Sequence, residues 1–287
     1  KVLFMSRNEE RMGVPDLHEG NSPAPTQAPA AQMDWSVPTE MVKLPSKGQS
    51  YQDPHPLAGV GEVEIRFMTA KEEDILTSRS LLKSGMALNR LVDSLVLDKR
   101  IRANDLLIGD RNAILVAARV TGYGDDYEVR MVCPSCGAAE EVSYSIERIT
   151  QFKEQDLDSL GVSKGSANGL YLTTLPKSGY PVEFRLLTAG DEVKATKQRE
   201  QKKKHKLGET QSTDLLRSIL VSVNGSTQPV DLARAVELMP ALDARHMRKV
   251  YKQVNPDIVL SDYFVCNSCG HDEEMEIPLS AEFFWPE

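Results

Sequence analysis

Two ten-residue stretches hold all four cysteines of the chain. The first reads Val132-Cys133-Pro134-Ser135-Cys136-Gly137-Ala138-Ala139-Glu140-Glu141. The second reads Val265-Cys266-Asn267-Ser268-Cys269-Gly270-His271-Asp272-Glu273-Glu274, 133 residues later. A C-x-x-C-G turn sets two thiols on one side of a tight bend, and the glycine relieves the backbone after the second cysteine. One such turn supplies half of a tetrahedral site. Two supply four thiolates, a closed set suited to structural Zn²⁺. The pattern predicts one Zn²⁺ held jointly by Cys133, Cys136, Cys266 and Cys269. A redox pair of the thioredoxin kind needs only one C-x-x-C and leaves the second copy unexplained. Two disulfides need an oxidising compartment, and no signal peptide is recognisable. His271 is left out of the ligand set, because Ala138 holds the matching place in the first copy.

Other chemistry finds little support. No G-x-x-x-x-G-K-[ST] or G-x-G-x-x-G follows a strand pattern, and Gly122-Tyr123-Gly124 suits a helix C-terminus instead. Neither G-x-S-x-G nor H-E-x-x-H is present. The five histidines are scattered, and the acid pairs Glu72-Glu73, Asp125-Asp126 and Glu273-Glu274 read as solvated surface. No catalytic residues are assigned. A net charge of −8 argues against bulk nucleic acid as the main partner. The basic run Lys194, Lys197, Arg199, Lys202, Lys203, Lys204 and Lys206 is the one feature that favours it, yet no aromatic is interleaved for base stacking. No apolar run approaches the roughly 20 residues of a membrane span.

The elements that must position the cysteines come in two similar sets, which predicts an internally duplicated α+β fold. Leu44-Pro45-Ser46-Lys47-Gly48 is echoed by Leu175-Pro176-Lys177-Ser178-Gly179. Val63-Glu64-Ile65-Arg66-Phe67-Met68-Thr69-Ala70 is echoed by Val182-Glu183-Phe184-Arg185-Leu186-Leu187-Thr188-Ala189. Both longer runs alternate as strands do, then reach a threonine with an acid three residues on, Glu72 or Asp191. Only the first is a full capping box by residue type. Offsets between the echoes put extra residues in Gln49–Gly61 of the first copy and in Lys194–Gln211 of the second.

Each copy is expected to run strand, helix, helix, metal-binding hairpin. Residues 42–146 form the first repeat and 173–279 the second, with 147–172 as a connecting helix and linker. In the first repeat, Lys71–Leu97 and Asp110–Val120 read as helices and Tyr127–Val132 and Glu140–Ile146 as strands. Glu147–Leu160 reads as the bridging helix. In the second, Thr213–Val223, Leu232–Leu238 and Ala241–Val254 read as helices.

Both ends look outward. Residues 1–41 form a proline- and alanine-rich arm around Asn21–Gln32, too poor in apolar residues to order itself, and expected to lie along a partner. The chain opens at Lys1, and Met5 is an alternative start. Residues 280–287 carry Phe283, Phe284 and Trp285, three consecutive aromatics expected to anchor a neighbouring subunit or to fold back on the core.

Several of these motifs together resemble a known family. Leu44-Pro45-Ser46-Lys47-Gly48, the stretch Ile65–Leu76, Gly109-Asp110-Arg111-Asn112-Ala113-Ile114-Leu115, Thr121-Gly122-Tyr123-Gly124 and the first cysteine turn are similar to the baseplate hub family of contractile-tailed (T-even-like) bacteriophages. The resemblance covers residues 42–146 well and reaches the second copy through the weaker repeat. It implies a non-enzymatic structural or assembly subunit of the tail baseplate hub, made in the host cytoplasm, with other baseplate or tail proteins as partners. It transfers no catalytic residue. The alternative reading is a zinc-ribbon nucleic-acid-binding protein using residues 194–206.

Overall fold

Alternation of apolar and polar residues builds the first hairpin. β1 (Thr39–Lys43) pairs antiparallel with β2 (Glu62–Arg66), and Val42 and Val63 meet on the buried face. Regular structure therefore starts before residue 42. The computed structural model describes residues 36–153, 157, 161–205, 210–277 and 281–284. The body of the expected arm, Lys206 and Trp285 lie outside these residues.

The single helix expected over Lys71–Leu97 is three: α1 (Ala70–Thr77), α2 (Arg79–Lys83) and α3 (Ala87–Leu95). Ser78 takes an extended ψ of 105°, and Gly85 sits at φ 67°. Serine competes for its own backbone and glycine is the cheapest residue at positive φ, so both break a helix there. The leucine stripe divides accordingly. Leu76, Leu91 and Leu95 are buried, whereas Leu82 and Leu88 stay exposed.

α4 (Ile108–Tyr123) is the centre of the molecule, with Ala113, Ile114, Leu115, Val116 and Ala118 buried around most of its circumference. A helix apolar on so many sides must be enclosed. The hairpin β3 (Asp126–Val132) and β4 (Ala139–Ser145) follows. Next comes a single turn, α5 (Ile146–Ile149), and then β5 (Thr150–Lys153). The bridging helix expected over Glu147–Leu160 thus stops at Ile149 and gives way to a strand over Thr150–Lys153. Thr150 and Phe152 suit a strand, and pairing with a later strand overrides any helical preference.

The rest of the chain supplies β6 (Ser163–Lys164), β7 (Leu170–Thr174), β8 (Pro181–Arg185), α6 (Ala189–Lys204), α7 (Gln211–Ile219), β9 (Leu220–Val223), α8 (Pro229–Leu238), α9 (Ala241–Val254), β10 (Asp257–Val265) and β11 (Asp272–Glu276). β6-β7-β8-β9 form one sheet, and β11-β10-β5 another. The helix expected over Thr213–Val223 stops at Ile219, because Leu220-Val221-Ser222-Val223 pairs beside β8. α9 forms with the expected bounds, and α8 starts at Pro229, three residues early.

From Val37 onward the chain is one compact unit. Its early and late elements are interlocked rather than juxtaposed. β5 pairs with β10, Ala189 N–H donates to the Leu106 carbonyl at 2.8 Å, and Arg111 pairs with Glu192 at 2.5 Å. Gly109 lies so close to β10 that a Cβ there would stand 2.1 Å from the Pro256 carbonyl oxygen. The fold is mixed α+β, and the four cysteines meet within it.

Candidate metal centre

Each cysteine pair sits at the turn of a hairpin, and the two turns close alike. Cys133 N–H donates to the Ala138 carbonyl at 2.8 Å and Gly137 N–H to the Cys133 carbonyl at 2.9 Å. Cys266 N–H donates to the His271 carbonyl and Gly270 N–H to the Cys266 carbonyl, both at 2.9 Å. Gly137 and Gly270 have φ of 74° and 71°, the left-handed region where a side chain would be strained. The first thiol of each pair is buried and the second is exposed.

The β3–β4 and β10–β11 hairpins bring their tips together. Cys133 Sγ lies 3.7 Å from Cys269 Sγ, and Cys136 Sγ lies 3.7 Å from Cys266 Sγ. All four sulfurs lie within 4.8 Å of one another. A disulfide needs about 2.05 Å between sulfurs, so neither pair is bonded. A tetrahedral ion with bonds of about 2.3 Å to sulfur has edges of about 3.8 Å. The cluster has the spacing of that tetrahedron.

Local dipoles and burial act unequally on the thiols. The backbone N–H of Cys136, joined by that of Ser135, pulls Cys133 down to about 6, while burial pushes Cys266 up to about 12. Four thiolates this close repel one another, and a cation at their centre would allow all of them to ionise.

Glu140 on β4 links the two tips from outside the sulfur cluster. Its carboxylate accepts from the Asn267 backbone N–H at 2.9 Å and from Asn267 Nδ2 at 2.7 Å, and its Oε1 lies 3.5 Å from Cys266 Sγ. The first hairpin therefore holds the second hairpin's turn in place. His271 Nε2 lies 3.2 Å from Glu273 Oε2.

The sequence profile described as T4 bacteriophage base plate protein matches residues 37–285. The chain belongs to the T4 bacteriophage base plate protein family. No curated protein and no solved structure matches it. Membership implies a structural component of a phage baseplate, located in the virion baseplate and assembled with other baseplate proteins. Among the described residues no helix is long and apolar enough to cross a membrane.

Of the two outcomes expected of the aromatic tail, anchoring a neighbour is not the one that Phe283 and Phe284 take in this baseplate protein. Phe283 and Phe284 are 1% and 3% exposed, so neither is free to anchor a neighbour. Phe283 packs edge-on against Tyr127 at 5.1 Å between ring centroids, and Phe284 edge-on against Phe283 at 5.3 Å. They occupy this chain's own core because β3 and α4 offer them an apolar bed. The basic run lies mostly on α6, where Lys202 is tied to Asp214 at 2.6 Å and Lys194 lies 3.7 Å from Asp191.

Two buried carboxylates escaped the sequence reading. Asp110 accepts from Ser46 N–H at 3.0 Å, Ser46 Oγ at 2.6 Å and Tyr51 Oη at 2.7 Å. Asp243 accepts from Lys177 N–H at 2.6 Å and Ser178 N–H at 3.0 Å. Each ties down one of the two Leu-Pro loops. They stand 133 residues apart, the spacing that also relates the cysteines, and a search for identities recurring at that spacing would have found them.

Proposed function

We propose that this chain is a non-enzymatic subunit of the baseplate hub, in which one structural Zn²⁺ on Cys133, Cys136, Cys266 and Cys269 braces two copies of a duplicated unit. The observation that carries the reading is the crossed arrangement of the thiols. Each cysteine of one hairpin has a cysteine of the other at 3.7 Å, so an ion there joins segments that only the fold brings together. Zinc bound in this way supplies charge neutralisation and four bonds, and leaves no open position for a substrate. That suits a frame better than a catalyst.

Several paired features support the duplication. β1–β2 and β7–β8 are hairpins of like register, each followed by a capped helix. Arg66 pairs with Glu72 at 2.6 Å, and Arg185 with Asp191 at 2.7 Å. Asp191 also accepts from Thr188 N–H at 3.1 Å while its own N–H donates to Thr188 Oγ1 at 3.3 Å, so aspartate closes the second capping box as well. Asp110 and Asp243 then hold equivalent loops.

The test has two parts. Protein purified reduced and without chelator should carry one zinc per chain, and chelation should lower its melting temperature substantially. Zinc near zero would sink the metal reading. For the hub, quantitative mass spectrometry of purified hub sub-complexes should recover the chain in a fixed ratio to its partners. Recovery solely from the outer baseplate would remove the hub assignment and leave the family membership intact.

A further inference from the structure

Two sheets end side by side over α4. β1 has only β2 as a neighbour, and the far edge of β2 is occupied by Val96 and Leu97. β5 is the last strand of the β11-β10-β5 sheet. Among the described residues, no strand lies against the outer edge of either. Between them runs a groove of 310 Å³. Its wall on one side is Glu40, Met41, Val42 and Lys43, four consecutive residues of β1. Successive side chains of a strand point to opposite faces, so a groove touching all four runs along the strand's edge. Thr150 and Phe152 of β5 form the opposite wall.

The floor is apolar and low. Ala113, Val116 and Ala117 of α4 line it, with the two alanines one helical turn apart. Met41 and Phe152 flank it at 55% and 49% exposure, two large apolar side chains left uncovered on facing walls. Glu40 and Glu147 stand at the rim, and neither carboxylate has an ion-pair partner among the described residues.

We propose that this groove receives one extended segment of a partner protein, which adds a strand to the open edge of β1 and covers Met41 and Phe152. Unpaired strand edges offer backbone donors and acceptors that an extended chain satisfies and a helix cannot. The alanine floor selects apolar side chains of modest size at alternate positions. The Glu40 and Glu147 carboxylates favour a lysine or arginine on the outward side of that segment. The occupant is thus a β-strand of alternating apolar and polar residues with a basic member, supplied by a different chain. The inference is independent of the metal and of the hub assignment.

The probe is a synthetic peptide of about seven residues alternating valine and threonine, with one lysine. Its control is the same peptide N-methylated at alternate positions, which removes the donors for one edge. With the full metal-loaded chain, the plain peptide should slow amide exchange in residues 39–43 about tenfold or more, and the methylated one should not. Ala117→Arg, which fills the floor, should weaken binding about tenfold or more. Met41→Asp, at a half-exposed site, should do the same, and at least one of the two should melt like the parent. Equal protection by both peptides would mean contact through side chains alone and would overturn the proposal. So would the absence of protection. Protection seen only after removal of residues 1–35 would make the occupant a segment of this chain, and the partner strand would be ruled out.

Discussion

Arg119 Nε–H donates to the backbone carbonyl of Phe283 at 2.7 Å, across 164 residues of chain. The same guanidinium donates to the carbonyls of Gly124 at 2.6 Å and Asp126 at 2.8 Å, and it stands 5.9 Å from the centre of the Phe283 ring. Arg119 is 1% exposed, so this is a buried cation satisfied by three carbonyl oxygens. It fixes the end of α4, the start of β3 and the aromatic tail in one place.

The tail therefore belongs to the stability of the isolated chain. Phe283→Ala should cost about 3–5 kcal/mol, the usual range for emptying a buried aromatic site. Arg119→Met should cost about 1–3 kcal/mol, since it leaves the buried Phe283 carbonyl without this donor. Urea denaturation of the isolated protein measures both. An unchanged midpoint for Phe283→Ala would return that side chain to an outward role.

Acid should act through Glu72. Burial by itself would raise this carboxyl, but hydrogen bonds from Thr69, Ser94 and Arg66 outweigh burial and hold it at about 2. An unfolded glutamate titrates near about 4.3. Glu72 therefore contributes stability that is fully present above the unfolded value and is lost as the pH falls toward 2. Melting temperatures of the parent and Glu72→Gln, measured from pH 7 down to 3, should converge as the pH falls. Loss of the proposed zinc would be common to both proteins and would cancel in the difference. A constant gap across that range would contradict the assignment.

Asp110→Ala and Asp243→Ala should damage the protein in the same way. Each removes the acceptor that holds a Leu-Pro loop, and the cost of the stranded donors is about 1–3 kcal/mol each. The two variants should show raised amide exchange at Ser46 and at Lys177–Ser178 respectively. A large effect from one and none from the other would weaken the argument for a shared ancestral unit.

Glu140→Gln should loosen the metal without touching a sulfur. The carboxylate holds the Asn267 turn beside Cys266, and losing such a support commonly lowers metal affinity about 10–100-fold. Competition with a chromophoric chelator reads the change directly. Wild-type affinity would show that the second turn orders itself.

The cysteine turns were legible because glycine, spacing and repetition all encode one local geometry. α9 was legible for a related reason, since its apolar period lies within the helix and Pro240 sits at its N-cap. β5 was not. Nothing around Thr150 announces that β10, more than a hundred residues later, will pair with it. The tail misled for the opposite reason. Three aromatics in sequence say that surface must be covered, but not whose, and for Phe283 the cover is Tyr127, Arg119 and the rest of the chain's own core. Asp110 and Asp243 were hidden because an aspartate in a helix's first turn reads as a favourable charge near the dipole, whether or not a loop comes down on it.

The crossed cysteines also set a timetable for synthesis. A ribosome adding about 5–20 residues per second needs roughly 7–27 s to pass from the first turn to the second. For that interval Cys133 and Cys136 form only half of a four-thiol site, on a nascent hairpin. An ion that needs all four thiols can be held only once the second turn has been made. A product that stops before Cys266 can never bring the four thiols together.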